Sequence, residues 1–148
     1  MNSKAEKILT AAILLLIVFI WGHSMMPADM SASESGAVGG FLAPLLELFV
    51  GKGAVTDHLV RKLAHFAEFS ALGALSMALA AVRGKTDLEN TVNIGLRGLA
   101  AAVIDEAIQL FVDGRSGEVQ DVLLDMGGIV FGIICVAVLS LLLKKIET

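Results

Sequence analysis

The chain alternates between long apolar blocks and short polar segments, and four of the blocks are long enough to cross a membrane. They lie at residues 8–26, 59–82, 91–112 and 122–143. A spanning helix needs roughly 20 predominantly apolar residues, and the apolar positions here are collected into blocks rather than spread at amphipathic spacing. The pattern therefore predicts an all-α membrane protein with four transmembrane helices, in a single domain over residues 1–148.

The segment between the first two blocks predicts a loop and a short helix. Residues 22–40 are rich in Ser, Gly and Ala and show no periodicity, which is typical of an extramembrane loop. Residues 41–50 are apolar but too short to span, so they predict a short interfacial helix in this first extracytoplasmic loop. A secretory signal peptide is the alternative for residues 1–26, but no small-x-small cleavage site follows directly, which favours an uncleaved helix.

The distribution of Lys and Arg predicts the orientation, because these residues collect on the cytoplasmic side. They occur at both termini and in the second connection, which four spans place on one side. The residues are Lys4, Lys7, Arg83, Lys85, Lys144 and Lys145. The chain is therefore predicted to be a multi-pass cell-membrane protein with cytoplasmic N- and C-termini.

Composition supports the membrane assignment and excludes some functions. Hydrophobic residues make up 56% of the 148 residues and charged residues only 18%, against about 45–50% apolar content in ordinary soluble domains. A net charge of −4 with no basic stripe argues against nucleic acid as a partner. The single cysteine, Cys135, excludes an intrachain disulfide and a cysteine-based metal site.

Polar side chains interrupt the apolar blocks near the same, outer end. Ionisable residues inside spans are costly and usually functional. Helical spacing places His65 and Glu68 on one face, and Asp121 and Asp125 on another. We expect these groups to form one outer-leaflet ligand-binding site. Its candidate residues are Lys62, His65, Glu68, Asp105, Glu106, Gln109, Arg115, Asp121 and Asp125.

Small residues predict where the helices approach each other closely. The fourth block contains Gly128-x-x-x-Gly132. The second block repeats alanine at spacings of three and four, at Ala64, Ala67, Ala71, Ala74, Ala78 and Ala81. We expect both sets to lie at helix contacts. Outside the spans, Trp21 is expected to anchor the membrane interface, and His23 and His58 are expected to be solvated in loops.

Two segments carry a family resemblance. Residues 61–75, RKLAHFAEFSALGAL, and 105–132, DEAIQLFVDGRSGEVQDVLLDMGGIVFG, resemble the VanZ-like family of small bacterial membrane proteins. The family's recurring positions correspond to the candidate residues together with Gly128. The family takes its name from a protein linked to low-level resistance to the glycopeptide teicoplanin, so the resemblance implies a role in the bacterial cell envelope.

The chain departs from the family pattern at three positions. It has Ile108 where many members have His, Phe69 where Tyr is frequent, and Asp125 where Asn is common. The first departure weakens any mechanism that needs two imidazoles.

Three interpretations of the outer cluster remain open. Its acids outnumber its permanent bases, Arg61, Lys62 and Arg115, so a cation or bound protons must offset the surplus. The cluster is a structural polar network, or it binds an outer-leaflet lipid, a cell-wall precursor or a glycopeptide through Arg115 and the acids. The third interpretation is an intramembrane metal-dependent hydrolase or transferase, with catalytic candidates His65, Glu68, Asp105 and Glu106. No motif identifies a cofactor, but a divalent metal would suit these ligands.

Overall fold

The computed structural model describes residues 3–146 and consists of five α-helices joined by short turns. They are α1 (Ser3–Ser24), α2 (Ala28–Val50), α3 (Asp57–Val82), α4 (Leu88–Gln109) and α5 (Val119–Ile146). The described residues form no β-strand, which confirms the all-α prediction. Side chains at residues 3, 32–35, 37–38, 42, 49–50 and 144–146 lie outside the described part, and these include Lys144 and Lys145, used above to predict orientation.

Within residues 3–146, three helices are long and apolar enough to cross a membrane. The qualifying segments are Lys4–Ser24, Asp57–Val82 and Val119–Leu143, so the fold is compatible with a membrane protein. The 22-residue α4 is long enough but is not among them, since Glu89, Arg97, Asp105 and Glu106 interrupt it. A fourth span and the sidedness of the termini stay predictions.

The prediction of a loop over residues 22–40 followed by a short helix is wrong, because one helix runs from Ala28 to Val50. Pro27 precedes its first turn with φ −54°, a conformation that proline adopts readily before a helix. Two of the Ser and Gly residues, Ser31 and Gly39, pack against other parts of the chain. Ser31 is fully buried, and a Cβ at Gly39 would lie 3.2 Å from Cγ2 of Val60 on α3.

The C-terminal half of α2 keeps the apolar surface expected of an interfacial helix. Phe41, Leu45 and Leu48 are spaced four and three residues apart, so they lie along one face. All three are well exposed, and Phe41 most of all at 85%. This stripe suits contact with the lipid interface.

The backbones of α3 and α5 touch where glycines meet. A Cβ at Gly132 would lie 2.0 Å from the carbonyl oxygen of Ser70, and one at Gly128 would lie 2.6 Å from that of Phe66. On α3, a Cβ at Gly73 would lie 2.3 Å from the carbonyl oxygen of Ile129. The predicted Gly128-x-x-x-Gly132 contact is therefore confirmed.

The predicted alanine seam on α3 is only partly correct. Ala67 and Ala71 are exposed, because the face against α5 is carried by residues one position away. Gly132 packs there between the carbonyl oxygen of Ser70 and the backbone nitrogen of Ala74. The seam predicted from spacing therefore contributes Ala74 but not its two exposed members.

The core lies between α1, α3, α4 and α5 and includes Ile20, Phe69, Leu72 and Ile129. Trp21 joins it from α1, where its Nε1–H donates to the carbonyl oxygen of Ala101 at 3.3 Å. The ring is held between α1 and α4, and its place at the membrane interface stays a prediction.

The helices α1, α3, α4 and α5 alternate in direction, so the ends of α1 and α4 and the starts of α3 and α5 meet at one end of the bundle, which we call the polar end. The start of α2 is attached there, since the backbone N–H of Ala28 donates to the carbonyl oxygen of Asp113 at 3.3 Å. This arrangement brings distant parts of the sequence to one place.

Candidate functional site

Three helices contribute one side chain each to the centre of the polar end. His65 of α3, Asp105 of α4 and Asp125 of α5 offer ligand atoms that all lie within 4.8 Å of one another. Both aspartates are completely buried and His65 is 8% exposed. Counting from the helix ends, the three residues lie roughly 6–12 Å inside the bundle. We call this group the buried triad.

The buried triad has more polar atoms than hydrogen-bond partners. His65 Nδ1, Asp105 Oδ1 and both carboxylate oxygens of Asp125 are buried with no partner among the described residues. His65 Nδ1 lies 3.7 Å from Asp105 Oδ2, which is an ion-pair distance rather than a hydrogen bond. Buried polar groups are nearly always satisfied, and these three side chains could hold a metal ion.

A second imidazole reaches the polar end from α1, which sequence reasoning missed. The ring of His23 stacks on that of His65, with centroids 6.3 Å apart and planes inclined by 13°. Its Nδ1 lies 3.5 Å from Oε1 of Glu68. The expectation that His23 is solvated in a loop is wrong, because α1 continues to Ser24. His58, in the first turn of α3, is exposed as expected.

The position of His23 could have been predicted from the buried face of α1. Ile20 and Ser24 are four residues apart and almost fully buried. Continuing that face one turn beyond the apolar block places His23 and Ser24 next to the other helices. Ser24 lies close to the Asp105 carboxyl group.

Glu106 and Gln109 hold the end of α4 against the start of α5. Gln109 Nε2 donates to Asp105 Oδ2 at 3.2 Å and to Glu106 Oε1 at 3.0 Å. The other oxygen of Glu106 accepts the backbone N–H of Glu118 at 2.8 Å. A Cβ at Gly117 would lie 2.7 Å from the carbonyl oxygen of Glu106, so the loop packs directly on α4. Glu106 therefore has a structural contact that satisfies a backbone donor at the start of α5.

Arg115 holds the end of α1. Its Nε–H donates to the carbonyl oxygen of Met26 at 3.2 Å, and Nη2 donates to that of His23 at 3.4 Å. Nη1 lies 3.5 Å from Oε1 of Gln109. These carbonyls lie at and just beyond the C-terminus of α1, where intrahelical partners run out. The guanidinium provides additional donors there, since the carbonyl of His23 also accepts the backbone N–H of Met26 at 3.1 Å. Burial lowers the pKa of Arg115 below its ordinary value, but the group stays charged.

A cavity of about 170 Å³ opens beside the buried triad. His65 lines it and separates it from Asp105 and Asp125, which are not among its lining residues. On its wall, Lys62 Nζ pairs with Asp121 Oδ1. Arg61 also lines this polar cavity and has no carboxylate within 4 Å among the described side chains. The remaining charged lining residues are Glu106, Arg115 and Glu118.

The structure thus places all nine predicted site residues at one end but in separate roles. His65, Asp105 and Asp125 converge, and Glu68 adjoins them through His23. Glu106, Gln109 and Arg115 form the network that holds the connecting loop, while Lys62 and Asp121 form a wall of the polar cavity.

A family comparison covers most of the chain. The model of a family described as VanZ/LLP1 matches residues 9–141. The chain belongs to the VanZ/LLP1 family. No curated protein and no solved structure matches it.

Family membership changes the weight of one departure noted from the sequence. This VanZ/LLP1 chain has Ile108 where many members of the family it resembles carry His. In the folded chain the second imidazole comes instead from His23 on α1. A mechanism that needs two imidazoles is therefore compatible with this VanZ/LLP1 member.

Proposed function

We propose that this VanZ/LLP1 chain is a four-span protein of the bacterial cell membrane that binds a divalent cation in the buried triad. In the adjoining polar cavity it binds the anionic head group of an outer-leaflet envelope lipid or lipid-linked cell-wall precursor. The four unpartnered atoms of His65, Asp105 and Asp125 carry the proposal.

The burial of its polar residues supports α4 as the fourth span. Asp105, Glu106 and Gln109 are 0%, 6% and 5% exposed, so these groups face the bundle and not the lipid. Polar residues in spans are tolerated in that position. Lys7, Arg83 and Lys85 belong to the bundle end opposite the buried triad, which supports cytoplasmic termini and an outer-leaflet site.

The chemistry of the donor atoms supports a cation. Two buried carboxylates within 4.8 Å of each other repel when both are ionised. A divalent ion offsets that repulsion and takes up the unused oxygen atoms. One imidazole with two carboxylates suits Zn²⁺ or Mn²⁺, which accept mixed nitrogen and oxygen ligands.

The cations of the polar cavity support recognition of an anion. Arg61 has no carboxylate partner within reach among the described side chains. Arg115 uses one N–H on each of its nitrogens for the contacts described above, which leaves two donors of a guanidinium that has five. Guanidinium groups bind phosphate by paired hydrogen bonds. The position of His65 between cavity and triad would bring such a phosphate next to the cation.

Hydrolysis of a lipid-linked phosphate is a second candidate, favoured by the contact between His23 and Glu68. The second oxygen of Glu68, Oε2, is buried with no partner among the described residues. A carboxylate paired with an imidazole can accept a proton from a metal-activated water. The oxygen of that water would then add to phosphorus as the ester P–O bond breaks, and the proton held by the Glu68–His23 pair would pass to the departing oxygen, so that the alcohol leaves.

Metal analysis of the full-length protein in detergent tests the cation site. After incubation with Zn²⁺, Mn²⁺, Mg²⁺ or Ca²⁺ and desalting, we expect about one bound equivalent of one metal per chain and a raised melting temperature, because the ion binds only the folded state. Asp125→Asn, which keeps the size of the side chain, should abolish both effects. Asp29→Asn removes an exposed acid on α2 and is the matched control.

Two results would overturn the proposal. One is a wild-type protein that neither retains a metal nor melts at a higher temperature with any of the four ions. The other is equal loss of metal in Asp29→Asn and Asp125→Asn. If the metal is absent and Asp125→Asn melts at a lower temperature than the wild type, a structural polar network explains the cluster.

The glycopeptide phenotype that the family name implies is tested in cells. Expression in a susceptible Gram-positive host should raise the inhibitory concentration of teicoplanin, and the Asp125→Asn variant should not. An unchanged inhibitory concentration with the wild-type protein present in the membrane removes glycopeptide resistance from the proposal.

A further inference from the structure

A groove of about 350 Å³ lies between α1, α3 and α4, towards the end opposite the buried triad. This volume falls in the range of about 300–1,000 Å³ that is typical of ligand pockets. The groove shares no lining residue with the polar cavity. We call it the basic groove because of the residues at its mouth.

The walls of the basic groove are apolar along most of their length. Ile13 and Ile17 of α1, Leu72 of α3 and Ile94 of α4 line it. Small residues, among them Ser76, Ala80 and Ala101, also line it. Leu14, at its edge, stays 59% exposed, so the groove opens on the outer surface of the bundle.

The depth of the basic groove matches one leaflet of a membrane. Along α4 its lining runs from Asn90 to Ala101, which corresponds to about 16 Å of helix. Half of the hydrocarbon core of a bilayer is about 15 Å thick. The groove therefore has the length and polarity that suit a lipid acyl chain.

The mouth of the basic groove is positively charged. Arg83, Lys85 and Arg97 line the groove, and no acid does. Arg97 lies two turns along α4 from Asn90, about 10 Å, so its guanidinium reaches the mouth only with the long side chain extended towards it. Arg83 pairs with Glu6, with Nε 3.2 Å from Oε2. Within the described part of the chain, Lys85 and Arg97 have no carboxylate within 4 Å. Asn90 and Asn93 add amide donors at the same end, so the mouth complements an anionic head group.

We propose that the basic groove binds an anionic phospholipid, with an acyl chain between α1 and α4 and its phosphate at Lys85 and Arg97. Basic pockets between spanning helices are known to hold anionic head groups. This site is independent of the buried triad, because the two share no residue and lie at opposite ends of the bundle.

Native mass spectrometry of the full-length protein in detergent tests this site. The probes are phosphatidylglycerol and phosphatidylcholine with identical acyl chains, and glycerol phosphate, which has no chains. We expect phosphatidylglycerol to bind best and glycerol phosphate to compete weakly. The double variant Lys85→Gln/Arg97→Gln should bind phosphatidylglycerol about 30-fold more weakly, since each cation near a membrane surface contributes to anionic lipid binding.

Two further variants separate charge from shape. Lys7→Gln removes an exposed cation outside the groove and should leave binding unchanged. Ser76→Leu places bulk on the wall of the groove and should weaken phosphatidylglycerol binding without a change of charge.

Three outcomes would each overturn the proposal. If phosphatidylcholine binds as well as phosphatidylglycerol, the cations play no role in recognition. If Lys7→Gln weakens binding as much as the double variant does, the cations act only by a general surface attraction. If glycerol phosphate competes as strongly as the lipid, the groove does not bind an acyl chain. Metal retention by the buried triad is measured on the same samples, so failure of one site is recognised separately from failure of the other.

Discussion

Replacing Gly132 with alanine tests the backbone contact between α3 and α5. The added Cβ would lie 2.0 Å from the carbonyl oxygen of Ser70 and 2.7 Å from the backbone nitrogen of Ala74. Real Cβ atoms keep at least 3.0 Å from such neighbours. Both neighbours are backbone atoms of a helix, so no rotamer change can make room. The two helices must therefore move apart by about 1 Å, since interiors are close-packed.

The expected loss of stability in Gly132→Ala follows from two opposing effects. Alanine favours a helix interior over glycine by about 1 kcal/mol. Overpacking a close contact costs about 1–3 kcal/mol, and a clash between two backbones belongs at the upper limit. The net loss is about 2 kcal/mol, which lowers the melting temperature by about 4–8 °C in a chain of this length.

A matched control lies on the same helix. A Cβ at Gly127 meets only Cε2 of Phe66, at 3.9 Å, which is an ordinary contact. Gly127→Ala therefore gains helix propensity without the clash and should melt at or slightly above the wild-type temperature. Gly128→Ala, whose Cβ would lie 2.6 Å from the carbonyl oxygen of Phe66, should fall between the two.

The assay heats the detergent-solubilised full-length protein and measures the folded fraction by size-exclusion chromatography. Metal retention is a second readout, because separation of α3 from α5 also moves Asp125 away from His65. If Gly132→Ala melts as high as Gly127→Ala, the helices do not approach as closely as described, and the explanation of the glycine contact fails.

Two further predictions concern the helix ends. Arg115→Lys keeps the charge but loses the planar set of donors to the carbonyls of His23 and Met26. It should destabilise the protein by about 2 kcal/mol in the same melting assay. Arg97→Lys, at an exposed position, should have no effect, and an equal loss in both variants would contradict the role of Arg115 at the end of α1. Asp87 accepts the backbone N–H of Asn90 at 3.0 Å, and this bond lowers the pKa of its carboxyl group below the ordinary 3.8. Because the folded pKa is lower than the unfolded one, its stabilisation is complete above pH about 4 and is lost as the pH falls through the folded value. Asp87→Ser should reduce the change of melting temperature with pH between about pH 4 and 2. An unchanged pH dependence would refute this.

Helix locations on either side of α2 were predictable because apolar length is a strong pattern. α2 was not, because its Ser and Gly residues are typical of loops when no partner is known. A glycine at position 39 of α2 matters for packing only because Val60 of α3 lies opposite. Contacts between residues far apart in sequence decide such cases, and local composition does not report them.

The site was predictable to the level of which residues share an end of the bundle. Costly charges in apolar sequence identified His65, Asp105 and Asp125, and topology brought their helix ends together. The separate roles of these residues, in the buried triad or in holding the connecting loop, were not predictable. Glu106 contacts the backbone of Glu118, a partner that depends on the path of the loop. His23 was missed because Gly22 and Ser24 beside it suggested that α1 had already ended.

The glycine contact between α3 and α5 also has a consequence for biosynthesis. Translation produces α4 before α5, so Asp105 and Glu106 are made before Asp125 and the backbone N–H of Glu118 exist. Gly128 and Gly132 can reach α3 only after residues 105 and 106 have been made. The last helix therefore completes the burial of acids that were made earlier, and a chain truncated before residue 119 leaves them without α5 as a cover.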